Sequence, residues 1–215
     1  MQPPDLAALR REYGSAGLTE DELAPTWHGQ LDRWLAVALG EGLVEPNAAV
    51  LATARPDGAP SARHVLVKLV DERGLVFFTN LTSRKGAELA ANPRASLVFG
   101  WLPLERQVVV VGDVAPVPRE ETEAYFRSRP RGAQLAAWAS RQSSVLTSRE
   151  ELERRRDELE QRFGDHVPAP PFWGGLRVVP RSVEFWQGRL DRLHDRLRFR
   201  RDDADGRWVV ERLSP

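Results

Sequence analysis

The chain has 215 residues, no cysteine, and 31 basic against 31 acidic side chains. Thiol catalysis, disulfide frameworks and Cys-ligated metals are therefore excluded, and zero net charge gives nucleic acid no whole-molecule attraction. A hydrophobic fraction of 41% supports a core in one ordinary domain or two very small ones, no apolar run approaches the roughly 20 residues of a membrane span, and with no signal peptide at Met1-Gln2-Pro3-Pro4-Asp5 a soluble cytoplasmic protein is expected.

Residues 5 to 14 read as a helix carrying Arg10, Arg11, Glu12 and Tyr13. Residues 27 to 40 place Leu31, Trp34, Leu35, Ala38 and Leu39 at helical spacing, which predicts a core-covering helix. From Ala48 the period changes. Residues 49–53, 61–70 and 75–79 read as strands joined by the turns Arg55-Pro56-Asp57-Gly58 and Asp71-Glu72-Arg73-Gly74. Tight turns between short strands predict an antiparallel meander. Within the second strand Arg63 and Lys68 differ by an odd number, so strict alternation puts them on opposite faces. Contact of both with one ligand requires a bulge or a wrap at the strand end.

Ser83 is a candidate N-cap for a short helix over 84–91. Arg84 and Lys85 then fall in its first turn, where the dipole favours anions. A phosphate at this end resolves the conflict; the bland alternative is an exposed, salt-screened helix start. Strands follow at 95–99 and 107–114. Val108 to Val111 is fully apolar and should be central, and Gln107 at its entrance offers a donor and an acceptor together, suited to a heterocycle edge or to a cap. Tyr125 and Arg129 are four apart and share a helix face that could hold an oxyanion or form a plain surface pair. Residues 134–139 read as helix, 141–144 as a polar loop, and 148–163 as a charged helix whose acids and bases interleave, a solvated face.

Strands are expected at 176–179, 182–187 and 192–200, with Trp208 to Leu213 closing the sheet. Read as an extended strand, 192–200 lines Arg192, His194 and Arg196 on one side and Leu193, Leu197 and Phe199 on the other. Two permanent cations around a group that titrates near neutrality suit an anionic ligand; a solvated edge strand blunted by arginine is the alternative. Of 31 basic residues only Lys68 and Lys85 are lysine. A chain that uses arginine elsewhere suggests a need for a compact ammonium at these two places, with chance survival as the alternative. The four histidines (His28, His64, His166, His194) lack zinc-ligand spacing, so no metal is expected.

Eight motifs carry a resemblance. Arg63-His64-Val65-Leu66-Val67-Lys68, Phe78-Thr79-Asn80, Ser83-Arg84-Lys85, Leu104-Glu105-Arg106-Gln107-Val108, Tyr125 to Pro130, Gln142-Ser143-Ser144, Phe172-Trp173-Gly174-Gly175 and Arg192-Leu193-His194-Asp195-Arg196 stand in an order that resembles the pyridoxamine/pyridoxine 5′-phosphate oxidase family. The likeness runs from about Leu9 to Pro215. It implies a mainly β, α+β fold: an antiparallel FMN-binding split β-barrel with flanking helices. It implies one domain over 1–215, with an N-terminal helical cover at 1–24 and barrel and helices at 45–215, in a homodimer with FMN at the subunit interface.

The resemblance also implies roles. FMN would be held by Arg63, His64, Val65, Leu66, Val67 and Lys68, by Phe78, Thr79, Arg84 and Lys85, and by Gln107, Gln142, Ser143, Trp186 and Arg196. The substrate phosphate would meet Lys68, Tyr125 and Arg129, near Ala133. Arg192, Leu193 and His194 would contact the substrate ring, with Arg192 and His194 in the catalytic role, and Arg10, Arg11, Glu12 and Tyr13 would cover it. The implied reaction oxidises pyridoxamine or pyridoxine 5′-phosphate to pyridoxal 5′-phosphate and reduces O2 to hydrogen peroxide. A non-catalytic FMN or pyridoxal phosphate carrier and a flavin-dependent reductase are the other readings, because one fold hosts several chemistries. Three positions depart from the family pattern: Ala133 replaces a serine, Phe78 a tyrosine and Glu45 an aspartate. The lost hydroxyl at 133 predicts substrate binding weaker by about 1 kcal/mol.

Overall fold

The computed structural model of the chain describes residues 5, 6, 12–14 and 17–215. Strands form where helical spacing gives way to alternation. β1 (Ala48–Ala54) buries Ala49, Leu51 and Thr53, every second residue. β2 (Pro60–Asp71) and β3 (Gly74–Asn80) follow as the expected antiparallel meander, with Val50 opposite His64 and Val67 opposite Phe77. Asp71 builds the second turn, its Oδ1 accepting the backbone N–H groups of Arg73 and Gly74. Gly74 is obligatory there: its φ is +142°, and a Cβ would lie 2.1 Å from the Val178 carbonyl oxygen.

β4 (Arg94–Trp101), β5 (Arg106–Pro116), β6 (Trp173–Gln187), β7 (Asp195–Arg201) and β8 (Trp208–Arg212) complete the sheet. The hydrogen-bonded order is β3-β2-β1-β4-β5-β6-β7-β8, and β3 also pairs with β6. Six strands thus close into an antiparallel barrel flanked by helices, the fold class expected. Closure comes from β3 with β6. The strand expected over 208–213 is β8, which pairs with β7 and ends the order. The two strands expected at 176–179 and 182–187 are one 15-residue strand running through Pro180. The run Val108 to Val111 alternates: Val108 and Val110 are buried, but Val111 is 46% exposed.

The chain divides into two compact units. One is drawn from residues up to Pro46 with Val98–Val110 and Arg181–Pro215, the other from Asn47–Leu97 and Val111–Pro180. In the first, α1 (Trp27–Gly40) is capped by Thr26 and buries Trp27, Leu31, Trp34 and Ala38; of the other positions its spacing predicts as core-facing, Leu35 is half-buried and Leu39 is 65% exposed. Trp34 packs edge-on against Phe185 at 5.2 Å. Glu12 to Gly14 are not helical, against the helix expected over 5–14, and residues 7–11 lie outside the described ones.

The second unit holds four helices: α2 (Arg84–Ala91), α3 (Arg119–Ser128), α4 (Arg131–Ala139) and α5 (Arg149–Arg162). Phe126, Leu135, Val167 and Trp173 form a core under α3 and α4. α5 buries nothing and carries a ladder of i,i+4 pairs such as Arg149 with Glu153 and Glu151 with Arg155, the solvated helix expected.

Candidate active site

The second unit contains a cavity of about 560 Å³ whose lining includes His64, Lys68, Lys85, Tyr125, Arg129 and Gln142. Three of these are permanent or near-permanent cations, and among the described residues no carboxylate lines the cavity. Such a cavity has a positive potential, and an anion satisfies it.

Secondary structure places each cation. On β2 the register slips between Val67 and Leu69, so Lys68 is a bulged residue. A bulge was the condition for Lys68 and Arg63 to share a ligand. Only Lys68 uses it, with His64, Val65 and Leu66 lining the same cavity. Lys85 sits in the first turn of α2, whose N-cap Ser83 accepts from the Gly86 N–H. Its Nζ donates to Gln142 Oε1 at 2.8 Å, Thr79 Oγ1 at 3.2 Å and Ser83 Oγ at 3.4 Å, all neutral acceptors. Burial pulls this ammonium below the usual lysine range, and the nearby charge of Arg63 adds to the effect. A charged, buried group with neutral partners fits an absent anion.

Arg129 follows the last turn of α3, stacked over Trp173 at 4.8 Å and facing Phe126 at 5.5 Å. Its Nη1 is buried without a hydrogen-bond partner, which is costly for a guanidinium. Tyr125, one helical turn earlier, also lines the cavity, as the shared-face argument expected. Burial raises its phenol and Arg129 opposes the rise. Phe78, Tyr125 and Trp173 lie nearly parallel, Phe78 and Tyr125 at 4.1 Å and Phe78 and Trp173 at 5.4 Å. One wall is therefore aromatic, and the charged groups on the lining are the cations Lys68, Lys85 and Arg129, beside neutral polar groups such as Thr79, Asn80 and Gln142.

Other expected site residues in this unit lie elsewhere. Arg63 and Arg84 do not line the cavity, and Arg84 is 60% exposed; both bind Glu88, at 3.2 and 2.9 Å. The dipole conflict at the start of α2 is thus met in part by one internal carboxylate, which Arg84 and Arg63 share, while the hydrogen-bond partners of Lys85 are all neutral. Ser143 has a left-handed φ of +74° and lines a separate shallow pocket with Gln142. Ala133 does not line the cavity; its N–H donates to the Pro130 carbonyl.

The first unit contains a second cavity of about 170 Å³, lined by the candidates Tyr13, Gln107 and Trp186 with Arg106 among others. Tyr13 meets Trp186 and His194 edge-on at 5.7 and 5.5 Å. His194 Nδ1 accepts the Arg189 N–H at 3.0 Å, which leaves Nε2 to carry the ring proton. The strand reading of 192–196 is corrected here. β7 starts at Asp195, and Leu190–Arg192 forms a 3-10 turn with Asp191 and Arg192 at φ of +53° and +60°. Arg192 and His194 therefore do not alternate on one strand face. Leu193 is 70% exposed rather than core, whereas Leu197 and Phe199 are buried as expected. Arg196 is held by both oxygens of Glu184 at 2.8 and 3.0 Å. Arg10 and Arg11 lie outside the described residues. Among the described residues no cluster of His, Asp or Glu could hold a metal.

A family model described as pyridoxamine 5′-phosphate oxidase matches residues 37–163, more than half of the chain. The chain belongs to the pyridoxamine 5′-phosphate oxidase family. A second model, described as the pyridoxine 5′-phosphate oxidase C-terminal dimerisation region, matches residues 173–215. A pyridoxine/pyridoxamine 5′-phosphate oxidase from Frankia alni is 58% identical, covering 99% of this chain and 90% of that protein. One from Rubrobacter xylanophilus is 59% identical over 98% and 97%. Among solved structures, PhzG from Burkholderia lata, in complex with tetrahydrophenazine-1-carboxylic acid, aligns at TM-score 0.85 and 36% identity over 91% of this chain and 95% of that one. A pyridoxamine 5′-phosphate oxidase-related, FMN binding protein from Nostoc punctiforme aligns at TM-score 0.72 and 21% identity, over 90% and 100%, a likeness of fold. The chain is an oxidoreductase of this family. Glu88, which binds both Arg63 and Arg84, is the residue that sequence reasoning missed. Its only signal was the four-residue spacing from Arg84, which reads as an ordinary surface pair.

Proposed function

We propose that the chain oxidises pyridoxamine 5′-phosphate and pyridoxine 5′-phosphate to pyridoxal 5′-phosphate, using FMN, as a cytoplasmic homodimer. The observation that carries this reading is the cavity with Lys68, Lys85 and Arg129 on its wall and, among the described residues, no carboxylate. Two separate phosphate esters, one on the cofactor and one on the substrate, account for cations on both β2–α2 and α3. The buried, neutral-partnered Lys85 ammonium and the orphaned Arg129 Nη1 support the fit of such groups.

Lys85, with Arg63 and Arg84 behind it, would take the FMN phosphate. The strand segment His64 to Lys68, with Phe78, Thr79, Gln142 and Ser143, would hold the rest of the cofactor. Lys68, Tyr125 and Arg129 would take the substrate phosphate, with Ala133 close by. From the first unit, Gln107, Trp186 and Arg196 would complete the flavin site. Arg192, Leu193 and His194 would orient the pyridine ring, with Arg10, Arg11, Glu12 and Tyr13 covering it. When bound, FMN supplies a two-electron acceptor for hydride from substrate C4′ and returns the electrons to O2, giving hydrogen peroxide. The protein's part is positional and electrostatic. Fixed cations stabilise negative charge developing in the site, the aromatic wall excludes water, and His194 presents Nε2–H as a donor.

The test is direct. FMN-loaded protein incubated aerobically with pyridoxine 5′-phosphate should yield aldehyde and peroxide in equal amounts. Peroxide without aldehyde, or neither, would end the oxidase reading.

A further inference from the structure

Glu88 lies on α2, three residues beyond Lys85, and is only 4% exposed. Its two oxygens are crowded with donors. Oε1 accepts from Arg84 Nε at 2.9 Å. Oε2 accepts from Thr53 Oγ1 at 2.5 Å, Ser61 Oγ at 2.6 Å and Arg63 Nη2 at 3.2 Å. Arg63 is further fixed by Thr53 Oγ1 at 2.6 Å, by the Leu51 carbonyl at 3.3 Å and by Ser61. One buried carboxylate therefore ties two strands to the helix that carries Lys85.

As a strut alone this is a poor choice, because well-packed apolar residues usually serve as well as a buried ion pair. The charge count gives it another use. Arg63, Arg84 and Lys85 are three cations gathered around α2, and one carboxylate reduces their sum to about +2, the magnitude of a phosphate monoester's charge near neutrality. Without Glu88 the guanidinium groups lose their shared anchor and repel one another.

We propose that Glu88 is a positioning residue for the phosphate end of the cofactor: it fixes the Arg63 and Arg84 guanidinium groups beside Lys85 before the phosphate arrives. This rests on the FMN reading above and adds to it a residue that touches neither flavin nor substrate. The work of Glu88 is pre-organisation, which raises affinity by removing an ordering cost.

The full chain, stripped of flavin, is titrated with FMN and with riboflavin, which lacks the phosphate, and followed by flavin fluorescence. Glu88→Gln should weaken FMN binding about 10- to 100-fold while riboflavin binding changes by less than about twofold. Parallel loss of both ligands would reduce Glu88 to a structural strut and overturn the proposal. Unchanged or tighter FMN binding would overturn it as well. If Glu88→Gln does not fold, Thr53→Val and Ser61→Ala, each removing one donor to Glu88, should give the same FMN-selective loss at about two- to tenfold; no selective loss would again refute it. Failure of the underlying reading looks different: the unmodified chain would then bind FMN no tighter than riboflavin.

Discussion

Arg129 directs its charge at aromatic faces, not at a carboxylate, and leaves Nη1 buried and unsatisfied. Its substitution therefore removes little structural pairing and mainly removes a contact awaiting a ligand. Arg129→Met should raise KM for pyridoxine 5′-phosphate about 10- to 100-fold, since charge-assisted hydrogen bonds contribute about 1.5–3 kcal/mol. FMN affinity should stay the same, and steady-state kinetics with a parallel FMN titration reads both. An unchanged KM would take Arg129 out of the substrate site. Glu88 gives a prediction of a different kind. Burial alone would raise its carboxyl, but hydrogen bonds from Ser61, Thr53, Arg84 and Arg63 outweigh this and bring it down to about 2, against 4.5 for the ordinary group. The folded pKa lies below the unfolded one, so the stabilisation is complete above about pH 4.5 and fades as pH falls toward 2. Denaturation midpoints measured across that interval should fall less steeply in Glu88→Gln than in the unmodified chain; identical slopes would show that Glu88 does not carry the shift.

At the scale of elements, α2 depends on one glycine. A Cβ on Gly86 would sit 2.1 Å from the Leu81 carbonyl oxygen and 2.5 Å from its carbon. Backbone cannot yield cheaply at that distance, so Gly86→Ala must shift the helix and with it Lys85. A loss of about 1–3 kcal/mol in stability is expected, together with weaker FMN binding. Thermal melts and FMN titration check both, and a stable variant with normal affinity would mean that α2 can move without consequence. Elements of this kind were largely legible in the residues. The meander, α1 and α2 follow from spacing, turn residues and the Ser83 cap, local signals that tertiary packing did not override. Two failures have physical causes. The break expected between residues 179 and 182 is absent because the fixed φ of Pro180 suits extended chain, and Gly112 on β5 meets the Val179 carbonyl so closely that a Cβ would lie 2.1 Å from it. Arg192 was placed on a strand because alternation was assumed through Asp191 and Arg192, whose left-handed backbone no periodicity reveals. Of the residues the resemblance implied, His64, Val65, Leu66, Lys68, Phe78, Thr79, Lys85, Tyr125, Arg129 and Gln142 do line one cavity. The internal wiring was not legible: Arg63 and Arg84 on Glu88, and Arg196 on Glu184, are partner choices made by the folded sheet.

At the scale of the whole molecule, the residues assigned to the flavin and its substrate are drawn from both units. Lys85 and Arg129 belong to the unit built from Asn47–Leu97 and Val111–Pro180, whereas Gln107, Trp186, Arg192 and His194 belong to the other. Residues 173–215 match a dimerisation region, and under the proposed function each copy would contribute one set to a site shared with its neighbour. Symmetry then makes a quantitative prediction. In a twofold dimer each site would take its phosphate cations from one chain and its Arg192 from the other. Assayed with pyridoxine 5′-phosphate well below KM, a chain carrying Arg129→Met and a chain carrying Arg192→Ala should each retain about a tenth of the unmodified activity or less when refolded alone. When the two are co-refolded, about half of the dimers are mixed by random pairing, and each mixed dimer holds one site with both changes and one with neither. Activity should return to about a quarter of the unmodified level. If each site were built within one chain, every site would carry one defect and no activity would return. Recovered turnover in the mixture, compared with each variant refolded alone, decides between the two arrangements.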